Sequence, residues 1–115
     1  MDWVDLGETF YRSAVANYSV LTIKKLFGLS MNQCAFPGCE KALIYPELHG
    51  VLGEICHIRA ANPKGPRYLA EMTDDERYDH DNLVLLCPTH HTWIDRLEPH
   101  IYTAEALHEM KARVE

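Results

Sequence analysis

Four positions constrain this chain more than any others: Cys34 and Cys39 enclose "AFPG", and Cys87 stands three residues before His90 in "LLCPTHH". Zinc takes four thiolate or imidazole ligands in a tetrahedron, and two short-spaced pairs from distant chain segments are the usual way to supply them. Pro37-Gly38 gives the first pair the sharp turn that chelation needs. The expectation is a Cys3His zinc knuckle of Cys34, Cys39, Cys87 and His90. Its role is structural, because metal binding to a site absent from the unfolded chain is itself folding free energy. A chain of 115 residues has use for such a staple, since it buries only about two thirds of its unfolded surface. Cys56 competes with His90 for the fourth place. It sits inside "GEICHI", where strand alternation puts it opposite His57 and where free cysteine commonly packs as a small core residue, so His90 is preferred.

A hydrophobic fraction of 47% and six tyrosines indicate a folded chain. No apolar run approaches the roughly 20 residues of a membrane span. The first residues, "MDWVDLGETFYR", lack the basic and apolar regions of a signal peptide. The expected location is therefore intracellular, in the cytoplasm. There, four cysteines beside seven histidines favour metal over disulfides. A formal net charge of −6 argues against a free-standing, non-specific nucleic-acid binder. A bound divalent cation can nevertheless supply local positive charge where a phosphate sits.

Residues 1–30 read as a helical segment and residues 31–115 as one domain, which fits a small protein or a module of a longer chain. Phe10, Tyr11, Ala14, Val15 and Tyr18 recur at helical spacing. Ser19 is placed to cap a second helix carrying Ile23, Leu26 and Phe27, with Gly28 as its stop. These helices are expected to pack on the domain rather than form an arm. Residues 42–45 and 51–58 are strand-like, and "NLVLLC" is a further strand. The polar loop 59–81 is long enough to expect function of it. Within it "TDDE" forms a capping box from Thr73 to Glu76. "PTHHTWIDRL" reads as a helix with Pro88 in its first turn, and residues 103–113 as a last helix capped by Thr103.

With His90 assigned to zinc, His91 points about 100° away around the helix and is free for another duty. "EICHI", "NLVLLC" and "CPTHH", in that order and with "CAFPGC" ahead of them, resemble the HNH family of nucleases over roughly residues 34–96. The resemblance implies an α+β fold, a small zinc-stapled ββα-metal (His-Me finger) domain with flanking N- and C-terminal helices. It implies that His57 is the general base that activates a water, and that His91 ligates a catalytic Mg2+ or Mn2+. It also implies that Asn82 holds the long loop in register with the strand carrying His57. The residue types suit the task, since a histidine with a pKa of about 6.5 accepts a proton at neutral pH. A divalent cation offsets charge at phosphorus and at the leaving 3′ oxygen.

Asp95, one turn after His91, is in reach of its second ring N–H as an outer partner. Cys56 stands where many family members carry an Asp or His ligand. A thiolate is a poor ligand for Mg2+, so either His91, waters and substrate phosphate hold the cation, or Cys56 selects a softer ion, or the site is impaired. The first of these is preferred. Lys64 and Arg67 flank Gly65-Pro66 and are candidate contacts to the DNA backbone. The arrangement looks most like the HNH modules of bacterial defence and restriction systems, some fused to a sensor domain. The implied activity is metal-dependent cleavage of DNA, double-stranded by preference, with a sensor, partner domain or homodimer as the assembly. The rival expectation is a catalytically silent, zinc-stabilised nucleic-acid-binding or interaction module that acts with a partner.

Overall fold

Local signals account for where the helices begin. In the structure, a computed structural model that describes residues 18–115, Ser19 Oγ accepts from the Thr22 amide at 3.0 Å and caps α1, Val20–Leu29. Leu26, on its inner face, is fully buried. Gly28 is helical rather than the stop: the helix ends at Leu29, and Met31 and Asn32 turn the chain with φ of 57° and 58°. Asparagine tolerates this left-handed conformation because its short amide bonds locally. The Asn32 side chain bonds both the amide and the carbonyl of Ile44, at 2.8 and 3.1 Å. The expected helix through Phe10 and Val15 lies outside the described residues.

The strand-like residues 42–45 and 51–53 do not form a ladder. They contribute the isolated bridges Gln33↔Ala42 and Ile44↔Val51. The Leu43 carbonyl accepts from both Leu52 and Gly53 at 2.9 Å, which uses up the pairing in one tight crossing. Gly53 permits it, since a Cβ there would stand 2.8 Å from Leu43 Cβ. The true strand is β1, Glu54–His57, paired antiparallel with β2, Leu83–Leu86, in the register Glu54↔Leu86 and His57↔Leu83. All four residues of β2 are buried, because α1 packs against it and the helix that follows it packs on both strands.

Between the strands the chain is ordered by arginines and caps. Thr73 and Glu76 make the expected capping box at the start of α2, Asp74–Arg77. Buried Arg77 bonds the Tyr68 hydroxyl and the Leu69 carbonyl, both at 3.1 Å. A single 3-10 turn, His80–Asn82, leads into β2. Beyond β2, α3 spans Pro88–Thr92 with Pro88 in its first turn, and widens into a π turn over Trp93–Leu97. Thr103 caps α4, Ala104–Val114, which buries Leu107 and Met110. The result is an α+β domain in which a two-stranded antiparallel sheet feeds one helix, flanked by α1 and α4. No helix among the described residues is long and apolar enough to cross a membrane.

Candidate metal centres

The ββα junction gathers one set of ligands. Cys87 is the N-cap of α3 and His90 lies in its first turn, while Cys34 and Cys39 flank a turn closed by Gly38 at φ 81°. The ligand atoms of Cys34, Cys39, Cys87 and His90 all lie within 4.8 Å of one another. His90 presents Nδ1, 3.6 Å from Cys34 Sγ and 3.3 Å from Cys87 Sγ. Phe36 stacks on the imidazole at 4.0 Å between centroids, fixing its plane. The Cys87 amide donates to Cys34 Sγ at 3.2 Å, a contact that favours a thiolate there. Burial pushes the Cys34 thiol up to about 12, so a divalent cation is what would stabilise the charged form in this place. All four cysteines are free of disulfides. Three thiols and one imidazole nitrogen at this spacing fit tetrahedral zinc. Cys56 is elsewhere.

A second set forms on the other side of α3. β1 alternates, so Glu54 and Cys56 share a face that looks at the helix, while His57 looks away. Cys56, His91 and Asp95 bring ligand atoms within 4.8 Å of one another. Asp95 Oδ2 is 3.1 Å from His91 Nε2, and Cys56 Sγ is 3.7 and 3.8 Å from the two Asp95 oxygens. Nδ1 of His91 lies 2.8 Å from Glu54 Oε1. Asp95 is thus in hydrogen-bond reach of His91, where it was expected, and it also stands with Cys56 and His91 in one donor cluster, while Glu54 meets the other ring nitrogen. The imidazole and the carboxylate can take Mn2+, which accepts a nitrogen ligand more readily than Mg2+, while the thiol beside them suits a softer ion than either.

The charges record the same concentration of anionic groups. Asp95 and Cys56, with Glu54, hold the His91 proton and raise its pKa from 6.5 to about 11. Burial pushes the Asp95 carboxyl up, but bonds from His91 and Arg67 outweigh it and leave the carboxyl below its ordinary value. Burial raises the Cys56 thiol. A proton on His91 occupies the position that a cation would take.

His57 is on the opposite face of β1, against Tyr78 at 5.0 Å and 88° and Tyr18 at 5.8 Å. It does not meet His91 directly. Its Nε2 is buried without a hydrogen-bond partner, and burial lowers its pKa, which keeps the imidazole neutral near pH 7. Asn82 is buried and makes three side-chain bonds: Oδ1 accepts from the Arg59 amide at 3.0 Å, and Nδ2 donates to the carbonyls of Arg59 and Arg77 at 2.9 Å. These ties fix the chain just after His57 to the turn before β2.

Lys64 is exposed on its loop, but Arg67 is not a surface contact. Its side chain is 6% exposed and its guanidinium bonds Asp95 at 2.6 Å. The Arg67 nitrogens expected to contact DNA are engaged inside the protein in this structure. Glu54 went unrecognised in the sequence, although its place two residues before Cys56 on a strand was the available signal.

A two-stranded sheet feeding a helix, with a Cys/His knuckle at the helix start and a second donor cluster beginning one residue later, defines a small ββα-metal protein. The model of the HNH endonuclease family matches residues 34–101. The chain belongs to the HNH endonuclease family. No curated protein matches it.

Proposed function

We propose that this chain is a metal-dependent endonuclease domain that hydrolyses DNA phosphodiester bonds, serving as a cytoplasmic effector module of a bacterial defence or restriction system. The observation that carries the reading is the convergence of Cys56, His91 and Asp95 beside the strand that bears His57, within a family of nucleases. By resemblance to that family His57, neutral near pH 7, is assigned the general base that takes the proton from the attacking water, although its ring lies on the face of β1 opposite the cluster and its Nε2 is buried. The new P–O bond forms as the P–O3′ bond breaks, leaving a 5′-phosphate and a 3′-hydroxyl. A divalent cation bound there would offset charge on the scissile phosphate and the leaving oxygen. Asn82 keeps His57 in position through the Arg59 backbone, and His91, oriented by Glu54, would hold the cation with Asp95. The zinc knuckle fixes the start of α3, from which His91 projects.

Plasmid nicking with Mn2+ tests this. The expected result is cleavage by the wild type and a loss on the order of 10^2-fold or more in His57→Ala, the scale of general-base catalysis. Nicking that survives the substitution removes His57 from the role. A parallel assay on single-stranded DNA and RNA assigns the substrate class. One observation favours a second reading, a zinc-stabilised module that is silent alone and acts with a partner: Arg67 is withdrawn from the surface on a chain of net charge −6. Absence of nicking by the wild type with any divalent ion supports that reading.

A further inference from the structure

We infer that Arg67 is a positioning residue for the divalent-cation site, holding Asp95 by one carboxylate oxygen so that the other faces His91. The inference rests on the reading that this cluster takes a cation. Arg67 Nη2 donates to Asp95 Oδ1 at 2.6 Å, while Oδ2 is the oxygen 3.1 Å from His91. The carboxylate is therefore divided between the guanidinium on Oδ1 and His91 on Oδ2, with Cys56 Sγ near both oxygens.

The guanidinium is itself fixed. Nε donates to the Ile58 carbonyl at 2.6 Å, Nη1 to Tyr102 at 3.3 Å and Nη2 also to His57 at 3.4 Å. A planar fork with five N–H groups can meet four acceptors at once, which a lysine cannot. The loop that delivers it is built for that purpose. The Ala60 amide bonds the Pro66 carbonyl at 3.0 Å, and a Cβ on Gly65 would collide with Ala60 Cβ at 2.5 Å. Arg67 itself adopts φ 59°, a conformation that costs a non-glycine residue on the order of 1 kcal/mol and persists where surrounding contacts hold it. Asp95 needs such a post, because it lies in the π turn Trp93–Leu97 rather than in a regular helix.

A purely structural arginine and a positioning one differ in what they do to the cation. Repulsion between guanidinium and cation predicts tighter metal binding when the charge is removed. Loss of carboxylate alignment predicts weaker binding, on the order of 10-fold for an outer residue that orients a ligand. The experiment titrates Mn2+ alone, without DNA, into protein whose knuckle is loaded with zinc, following the free Mn2+ signal by electron paramagnetic resonance. The expected result is about tenfold weaker Mn2+ binding in Arg67→Gln with zinc content and circular dichroism unchanged, and no further loss when Arg67→Gln is added to Asp95→Asn. Arg67→Lys, which keeps the charge without the fork, is expected to weaken binding as well, and it decides the matter if the Gln variant does not fold. Unchanged or tighter Mn2+ binding in a zinc-retaining variant overturns the inference. Wild-type protein that binds Mn2+ but cuts no nucleic acid would overturn the nuclease reading and leave this one standing.

Discussion

At the scale of the residue, His91 is the side chain on which, in the proposed reading, a proton and a cation would compete. Its folded pKa of about 11 against an ordinary 6.5 means that the folded state holds a proton the unfolded chain releases. The corresponding stability is fully present below about pH 6.5 and is lost as pH rises toward 11. A cation needs the unprotonated ring, so its binding strengthens over the same range. The expected outcome is a melting temperature that falls from pH 7 to 9 in zinc-replete, Mn2+-free protein and recovers with Mn2+, read by thermal melts. A flat profile in both conditions would rule out this coupling. Asn82 offers a second test. Its three bonds are made at 4% exposure, so Asn82→Ala is expected to cost about 2 to 4 kcal/mol at roughly 1 kcal/mol per bond plus unpaired backbone groups, measured by urea unfolding. A change below 1 kcal/mol would show that water replaces the amide. At this scale the sequence was most legible where spacing is local. His91 and Asp95, four residues apart, meet as helical neighbours. The Asp95–Arg67 pair was hidden because it depends on a left-handed arginine at the end of a closed loop, a conformation that no residue preference assigns to arginine.

Among the elements, helix starts were the readable part and strand limits were not. Ser19, Thr73, Pro88 and Thr103 each act within one turn, so the signal and the structure it specifies are the same few residues. Whether residues 42–53 form a ladder depends instead on Leu43 meeting Leu52 and Gly53 across a bend, and alternation of side chains is silent about that. The widening of α3 into a π turn likewise left no mark in the sequence, though such turns recur at functional sites. The knuckle is what connects the elements: Cys34 and Cys39 belong to the segment before β1, and Cys87 and His90 to the start of α3. Cys34→Ser is therefore expected to release zinc and to loosen α3, displacing His91 and Asp95 together. Metal analysis should show zinc content falling from about one per chain, and Mn2+ affinity should fall with it, since structural zinc contributes folding energy outright. Retention of zinc in Cys34→Ser would take Cys34 out of the ligand set, and full Mn2+ affinity after zinc loss would show that the two centres are independent.

For the whole molecule the tension lies between an anionic chain and the anionic substrate proposed for it. The net charge is −6, the cleft beside Tyr78 is walled by Asp74, Asp75 and Asp79, and the arginines of the long loop are turned inward: Arg67 to Asp95, Arg77 to Asp74 and Tyr68. Arg59, at 28% exposure, faces Glu105. What remains on the loop next to the site is Lys64, exposed, together with whatever charge a bound cation adds. Each phosphate neutralised contributes about −0.9 to the slope of log affinity against log salt on duplex DNA. A surface with one or two such contacts should then show a slope between about −1 and −2, well short of the values of proteins that grip DNA through six or more phosphates. The measurement is duplex binding by the catalytically disabled His57→Ala protein with Mn2+ present, by fluorescence anisotropy over 50 to 200 mM salt, roughly the range in which counterion release is resolved. A slope of about −5 or steeper would reveal a basic surface that the described residues do not present. A shallow slope with weak affinity would mean that the domain supplies the chemistry while its grip on DNA must come from an attached domain or a partner, which concentrates substrate at the site by tethering rather than by charge.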